Sequence, residues 1–327
     1  MKRAFLIVTL FIGQFGWLAD AALAQASSGV SEKPIKILVG FPAGGSADVV
    51  ARLLAQQLPA KLGGQSVIVE NLPGSSGLMA IEAVKNADPD GTTLFLTPSG
   101  PMVILPHVFK KWSFDPARDL TPVSQLVSFQ FAVTSGPMSH VKSMAEMVSK
   151  AKSDPRTASF ATPGTGTVPQ LLGVMLSEKM QVEWRHMPFQ GGAPALNALL
   201  GGHVGYGIDV ISEILEAHNA GKVRAIAVTG AHRSAQLPYV PTLREQGIAI
   251  DASAWFAVYG PAKMPLPVLA RLNRAIVSVM REPATKAKLV SMGFDVIGSS
   301  SRQLAARQKM DLLKWEKPIE AMGFQAD

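Results

Sequence analysis

One local plan occurs twice in this chain, and few folds accommodate it: a short apolar strand, a loop built on glycine, and a helix. In the first copy Ile37–Val39 is a β-branched and leucine run, Pro42–Gly45 is turn chemistry, and Val50, Leu53, Leu54 and Leu58 then fall at helical spacing. In the second, Ala158–Thr162 runs into Pro163-Gly164-Thr165-Gly166-Thr167, and Leu171, Leu172, Met175 and Leu176 form a helical apolar face. A helix start reached through glycines exposes backbone N–H groups without side-chain obstruction, which is a site for an anion; the same residues also suit a plain turn. Ser46 can cap the first helix, and Asp48 stands in its first turn, where a carboxylate suits the dipole. Neither loop is a nucleotide loop. Gly164-x-Gly166 is followed by Pro169 where a third glycine would stand, and no Gly-Lys-Ser/Thr occurs.

The rest of the chain repeats the alternation. Strands are expected at Ser66–Glu70, Thr93–Leu96, Arg185–Phe189, His203–Asp209, Val223–Thr229 and Ala254–Tyr259. Helices are expected around Met79–Ala87, Met144–Ala151, Pro194–Leu200 and Glu213–Ala220. Strands alternating with helices through short glycine turns indicate an α/β fold with parallel strands, whose ligands bind beyond the carboxyl ends of the strands. Pro98–Pro122 has no clean period and reads as an irregular connection with a short helix at most, and Gln125–Thr134 as an extended crossing into a second domain. Three closing helices, Pro267–Arg281, Ala284–Met292 and Arg302–Met322, bring no new sheet and are expected to pack back on the first domain.

Met1-Lys2-Arg3, an apolar run from Ala4 to Leu18 and the small-x-small site Ala22-Leu23-Ala24 describe a secretory signal peptide, residues 1–24, and hence a soluble periplasmic chain. The absence of cysteine excludes disulfides, thiol catalysis and thiolate metal sites. The net charge of +7 loses one unit with Lys2, Arg3 and Asp20, and the remainder is spread without a basic run, so nucleic acid is not indicated. It supports at most a mild attraction for acidic small molecules.

A catalytic reading needs a nucleophile, a base or a metal. His107, His140, His186, His203, His218 and His232 include no i,i+4 pair and no His-Glu-x-x-His, and Gly-x-Ser-x-Gly is absent. Asp88 and Asp90 sit in turn sequence, where turn formation is the ordinary role. Ser46, Thr162, Thr165 and Thr167 can offer hydroxyls to a ligand or cap helices. Asn71 can bond a ligand or its own turn, and Asp209, at a strand end, can pair with a cation or orient a loop. Phe189 and Trp255 suit core or interface as well as a ligand. What unites these residues is their place at expected strand ends, where one cleft can collect them.

In order along the chain, Phe41-Pro42-Ala43-Gly44-Gly45-Ser46-Ala47-Asp48 with Arg52, Val69-Glu70-Asn71-Leu72-Pro73-Gly74-Ser75-Ser76-Gly77, Pro89-Asp90-Gly91-Thr92-Thr93-Leu94, Pro163-Gly164-Thr165-Gly166, Gly201-Gly202-His203-Val204, Gly221-Lys222-Val223-Arg224-Ala225 and Pro238-Tyr239-Val240-Pro241-Thr242 resemble the tripartite tricarboxylate transporter receptor family, the extracytoplasmic solute-binding Bug proteins. The resemblance implies a two-lobed periplasmic-binding-protein fold (type II-like), each lobe a mixed sheet flanked by helices, with the ligand cleft between them. Lobe 1 would be discontinuous, 25–124 and 252–327, and lobe 2 would be 125–251. It implies no catalytic residue, cofactor or metal. The function it implies is capture of a small organic carboxylate (di-, tri- or aromatic) by hinge closure, and delivery to membrane permease subunits by a monomeric receptor. The alternatives are a sensor serving a membrane kinase and an exported enzyme using the glycine loops as an oxyanion or phosphate site.

Carried over residue by residue, the resemblance points to Phe41, Gly45, Ser46 and Asp48 on one side of the ligand and to Thr162, Gly164, Thr165 and Gly166 on the other. Asn71, Ser99, Phe189, Gly191, Asp209 and Trp255 follow as further candidates. Three departures matter. Phe189-Gln190-Gly191 replaces the family's usual Tyr-Lys-Gly, Val168-Pro169-Gln170 its Pro-Pro-His, and Asp209-Val210 its Asp-Asn. Together they imply a less polar distal pocket and a ligand with an apolar or aromatic portion as readily as citrate.

Overall fold

Ile35–Val39 (β1) is buried at every position but one, as a parallel strand covered on both faces should be. It leads through the first glycine loop into α1 (Ser46–Gln57), whose Val50, Ala51 and Leu54 face the core. The computed structural model describes residues 33–108 and 114–323; the signal peptide expected at 1–24 lies outside them. There follow β2 (Val67–Asn71), α2 (Leu78–Lys85) and β3 (Thr93–Pro98). Next come α3 (Gly100–Val103), α4 (Leu105–Val108), α5 (Pro116–Asp119) and the sixteen-residue β4 (Leu120–Ser135). The middle of the chain carries α6 (Met144–Ser153), β5 (Ser159–Thr162), α7 (Val168–Met180), β6 (Arg185–Pro188) and α8 (Gly192–Leu200). Then β7 (Tyr206–Val210), α9 (Ile211–Asn219) and β8 (Arg224–Val228) lead to β9 (Ser253–Pro261). The chain closes with α10 (Leu266–Arg281), α11 (Pro283–Ser291), β10 (Asp295–Val296) and α12 (Ser301–Met322).

Two expectations need correction. The described residues between 98 and 122 hold more regular structure than the irregular connection expected there: β3 and β4 extend into them from either side, and α3, α4 and α5, of four residues each, lie between. Pro101 and Pro116 stand in the first turns of α3 and α5, where a missing N–H breaks no helical hydrogen bond. The closing segment also adds a strand, since β10 pairs antiparallel with β4.

β1 pairs parallel with β2 and β3, and β5 pairs parallel with β6 and β7. These two parallel groups are joined by antiparallel strands, β3 to β9, β9 to β4 and β4 to β7, in the order β2-β1-β3-β9-β4-β7-β5-β6, with β8 and β10 both on β4. The sheet is therefore mixed, and β4 belongs to both of its halves. Up to Gln130 it pairs with β9; from Phe131 it pairs with β7. The switch is pinned: the Phe131 N–H donates to the Thr229 hydroxyl at 3.0 Å, and that hydroxyl donates to the Ala252 carbonyl at 2.6 Å. Phe129 and Phe131 flank it on one face of the strand, as a period of two requires.

α10 and α12 pack against β4, and α12 also packs against α3 and α4. Leu272, Ala275, Ile276, Val279 and Met280 recur at three- and four-residue spacing on the buried face of α10.

The first loop leaves β1 at a point where two segments of the chain nearly touch. A Cβ on Gly40 would lie 2.6 Å from the Gly77 Cα, which is backbone and cannot swing aside. Gly40→Ala is therefore expected to cost about 2 kcal/mol through forced backbone shifts. The drop in the midpoint of urea unfolding measures it, and a variant as stable as the parent would show that the Gly40–Gly77 approach is slack.

Candidate functional site

The first loop is held from beneath. The Asp48 carboxylate is buried in the first turn of α1 and accepts from the Gly44 N–H at 2.9 Å, the Arg52 Nε at 2.8 Å and the Asn71 Nδ2 at 2.9 Å. Asn71 Nδ2 also donates to the Phe41 carbonyl at 3.0 Å, and Arg52 donates to the Asn71 Oδ1. Burial acts to raise the Asp48 pKa, but the bonds from Arg52, Gly44 and Asn71 outweigh it and the net shift is downward. Asp48 and Asn71 therefore shape the loop from below. Ser46 is not the cap: Gly45 holds the N-cap position, and Asp48 takes up the Gly44 N–H.

The second loop is tied mostly to itself. Thr167 Oγ1 donates to the Gly164 carbonyl at 2.8 Å, and the Gly166 N–H donates to Gln170 Oε1 at 2.6 Å. Thr162 Oγ1 lies 2.7 Å from His186 Nε2 and bonds the Gly164 carbonyl from below. Burial pulls the His186 pKa down to about 4, so its ring is neutral at ordinary pH. The Ser76 hydroxyl donates to the Thr165 carbonyl at 2.5 Å, which links the second loop to the glycine turn that follows β2.

Above the loops lies a cavity of about 680 Å³, open to solvent and walled mainly by apolar groups. Phe41, Gly45, Ser46, Ser99, Gly191 and Asp209, all expected from the sequence, line it. Gly164, Thr165 and Phe189 line an adjoining hollow of about 640 Å³, which shares Phe41 and Gly191 with the first. The remaining candidates do not reach either space. Asp48 and Asn71 form the brace, Thr162 lies beneath the second loop, and the Gly166 N–H is already bonded. Trp255 is fully buried in the core, with its indole N–H donating to Asp311 Oδ2 at 2.8 Å.

Sequence reasoning missed most of the apolar wall. Phe129, Phe131 and Phe256 line the cavity from β4 and β9, whereas Val168 and Pro169, which line it from the start of α7, stand among the departures from the family pattern. Their residue types are those of any core strand or helix, and only the tertiary fold shows which face of β4 the cavity lies against. Glu213 was missed as well. It lines the cavity from the first turn of α9 and accepts the Ser46 N–H at 2.5 Å. In the sequence it looks like an acid placed for the helix dipole; the available signal was its spacing, four residues after Asp209.

The helix starts of α1, α7, α8 and α9 all reach this cavity, through Ser46, Val168, Gly192 and Val210. First-turn N–H groups have no partner inside their own helix; the Ser46 N–H of α1 is taken by Glu213 and the Val210 N–H before α9 by Asp209 Oδ1, which leaves the starts of α7 and α8 to offer donors to the cavity. Among the described residues no group of three metal-ligating side chains occurs, and no helix is long and apolar enough to cross a membrane.

Residues 50–324 match the family model described as tripartite tricarboxylate transporter family receptor. A UPF0065 protein of Bordetella bronchiseptica is 33% identical over 302 residues, 92% of this chain and 89% of its own. MatC of Rhodopseudomonas palustris, solved with bound malate, is 29% identical, has a TM-score of 0.83, and the match covers 88% of this chain and 99% of that one. A second R. palustris protein, solved with adipate, is 28% identical with a TM-score of 0.86, covering 90% and 98%. The fold shared with these structures is that of two-lobed periplasmic binding proteins. From its sheet order, its paired glycine loops and these matches, the chain belongs to the tripartite tricarboxylate transporter receptor family.

Proposed function

We propose that this receptor captures a small organic carboxylate in the periplasm and hands it to membrane permease subunits. The observation that carries the reading is that the helix starts of α7 and α8 open on one cavity and offer first-turn N–H donors to an anion, while among the described residues no positively charged side chain lines its wall. The malate and adipate held by the two related receptors support the same class of ligand. Lobe 1 (25–124 with 252–327) and lobe 2 (125–251) close over the ligand by bending at β4 and β9, and the binding energy favours the closed form with no covalent step. The expected leader at 1–24 directs export. The primary contacts are those of Phe41, Gly45, Ser46, Ser99, Gly191 and Asp209, with Gly164, Thr165 and Phe189 admitting the distal part of the solute.

A thermal-shift panel on refolded mature protein, stripped of co-purified solute, tests the class. A ligand at 100 times its dissociation constant adds about 2.7 kcal/mol, a rise of several degrees for a chain of this size. The rise is expected from carboxylates. Shifts confined to sugars or to compounds without a carboxylate would overturn the reading.

A further inference from the structure

Glu213 places its own carboxyl group where a helix start would otherwise receive an anion from outside. It accepts the Ser46 N–H at 2.5 Å, and its Oε1 lies 3.4 Å from where a Cβ on Gly45 would stand. A Cβ on Gly192 would fall 2.6 Å from the Glu213 Cδ, so only glycine at the start of α8 leaves room for this carboxyl group. Four residues earlier, Asp209, next to last in β7, lines the same cavity. Its Oδ1 accepts the Val210 N–H at 2.7 Å, while its Oδ2 is buried and has no hydrogen-bond partner. The Asp209 side chain belongs to a residue only 6% exposed.

Two acids so placed pose an electrostatic problem that the protein does not solve by itself. Among the described residues, no lysine, arginine or histidine lines the cavity. Burial raises the pKa of both groups, and the charge of Glu213 raises Asp209 further. Both cannot ionise cheaply in so apolar a space. A solute with two or three carboxylates would bring like charge toward this pair. A solute with a protonated nitrogen would bring the missing charge and would supply a donor to the Asp209 Oδ2.

We propose that Asp209 and Glu213 form a subsite for an ammonium group, so that the solute is an amino-substituted carboxylate with an apolar body. The ammonium faces the acid pair, the carboxylate takes the first-turn N–H groups of α7 and α8, and the hydrocarbon lies against Phe129, Phe131 and Phe256. This inference rests on the carboxylate reading above and narrows it.

Calorimetric titration of the ligand-stripped mature chain with matched pairs tests it. One series sets 4-aminobutanoate, 5-aminopentanoate and 6-aminohexanoate against succinate, glutarate and adipate; the other sets phenylalanine against 3-phenylpropanoate. Hexylamine and phenethylamine serve as amines without a carboxylate. The amino member of the best-binding pair is expected to bind at least tenfold more tightly. Asp209→Asn and Glu213→Gln, each nearly the same shape, are expected to shrink that ratio tenfold or more, with the melting temperature of each unliganded variant showing that it is folded. A diacid or 3-phenylpropanoate binding as tightly as its amino partner would overturn the ammonium subsite and leave the carboxylate reading standing, and so would a ratio that survives in both variants. Binding by the simple amines alone would keep the subsite and overturn the carboxylate reading. No binding by any of these compounds would overturn both.

Discussion

Phe129→Ala is expected to lower the stability of the folded chain by about 4 kcal/mol, in the range for emptying a large aromatic site. The Phe129 ring is almost wholly buried, 4.5 Å from the ring centroid of Phe256, 5.6 Å from Phe131 and 5.8 Å from Phe294. Its backbone lies opposite Ala254, one step before β4 leaves β9 for β7. Deleting the ring removes contacts from β4, β9 and the segment after α11 at once, and the backbone pairing on both sides hinders collapse into the gap. Because the same ring forms part of the cavity wall, the gap opens into the ligand space. The variant should therefore tolerate bulkier solutes even as it loses stability. Urea unfolding with an unchanged slope gives the cost, and Phe129→Leu should recover about half of it. A loss below about 1 kcal/mol would mean that the strands close over the site after all.

The second large effect is expected at Asp311. Its Oδ2 accepts both the Trp255 indole N–H at 2.8 Å and the Arg307 Nε at 2.7 Å, and so ties α12 to the centre of β9. Trp255 is fully buried, so Asp311→Ala leaves its N–H with no partner and no water to replace one. The stranded donor and the unpaired Arg307 together should cost about 3 kcal/mol. Asp311→Asn keeps an oxygen acceptor for the indole and should cost about half as much. Thermal melts give the size, and the near-ultraviolet dichroism of Trp255 reports its loss of fixed packing. A stable Asp311→Ala variant would show that α12 holds its place by apolar contact alone, through residues such as Leu304, Trp315 and Ile319.

The two strand-loop-helix units were legible because three local signals agree at each: apolar runs, glycine and proline at the turn, and a switch to helical spacing. Residues 98–122 were not legible, since prolines that stop long helices also begin short ones, and one-turn helices leave no period to read. Among the residues that line the cavity, Phe41, Gly45 and Ser46 were named from the family resemblance of their loop. Glu213 was not, because an acid in a first helical turn has an ordinary explanation that needs no ligand. Trp255 shows the converse error. An aromatic residue on a strand near the expected cleft lies on the far side of the sheet from it, bonded to α12.

What the amino-acid sequence determines by itself is local: which stretches become strands and helices, and where backbone N–H groups stand bare at a helix start. These follow from φ/ψ preferences and apolar spacing over a few residues. The tertiary structure alone decides the chemistry of the cavity. β4 changes partners between Gln130 and Phe131, and the two phenylalanines that its period of two places on one face on either side of that point, Phe129 and Phe131, line the cavity. The fold brings the start of α9 against that of α1, so that the Glu213 carboxyl accepts the Ser46 N–H from 167 residues earlier in the chain. Charge and hydrogen bonding act over a few ångströms of space, and separation along the chain carries no record of that distance.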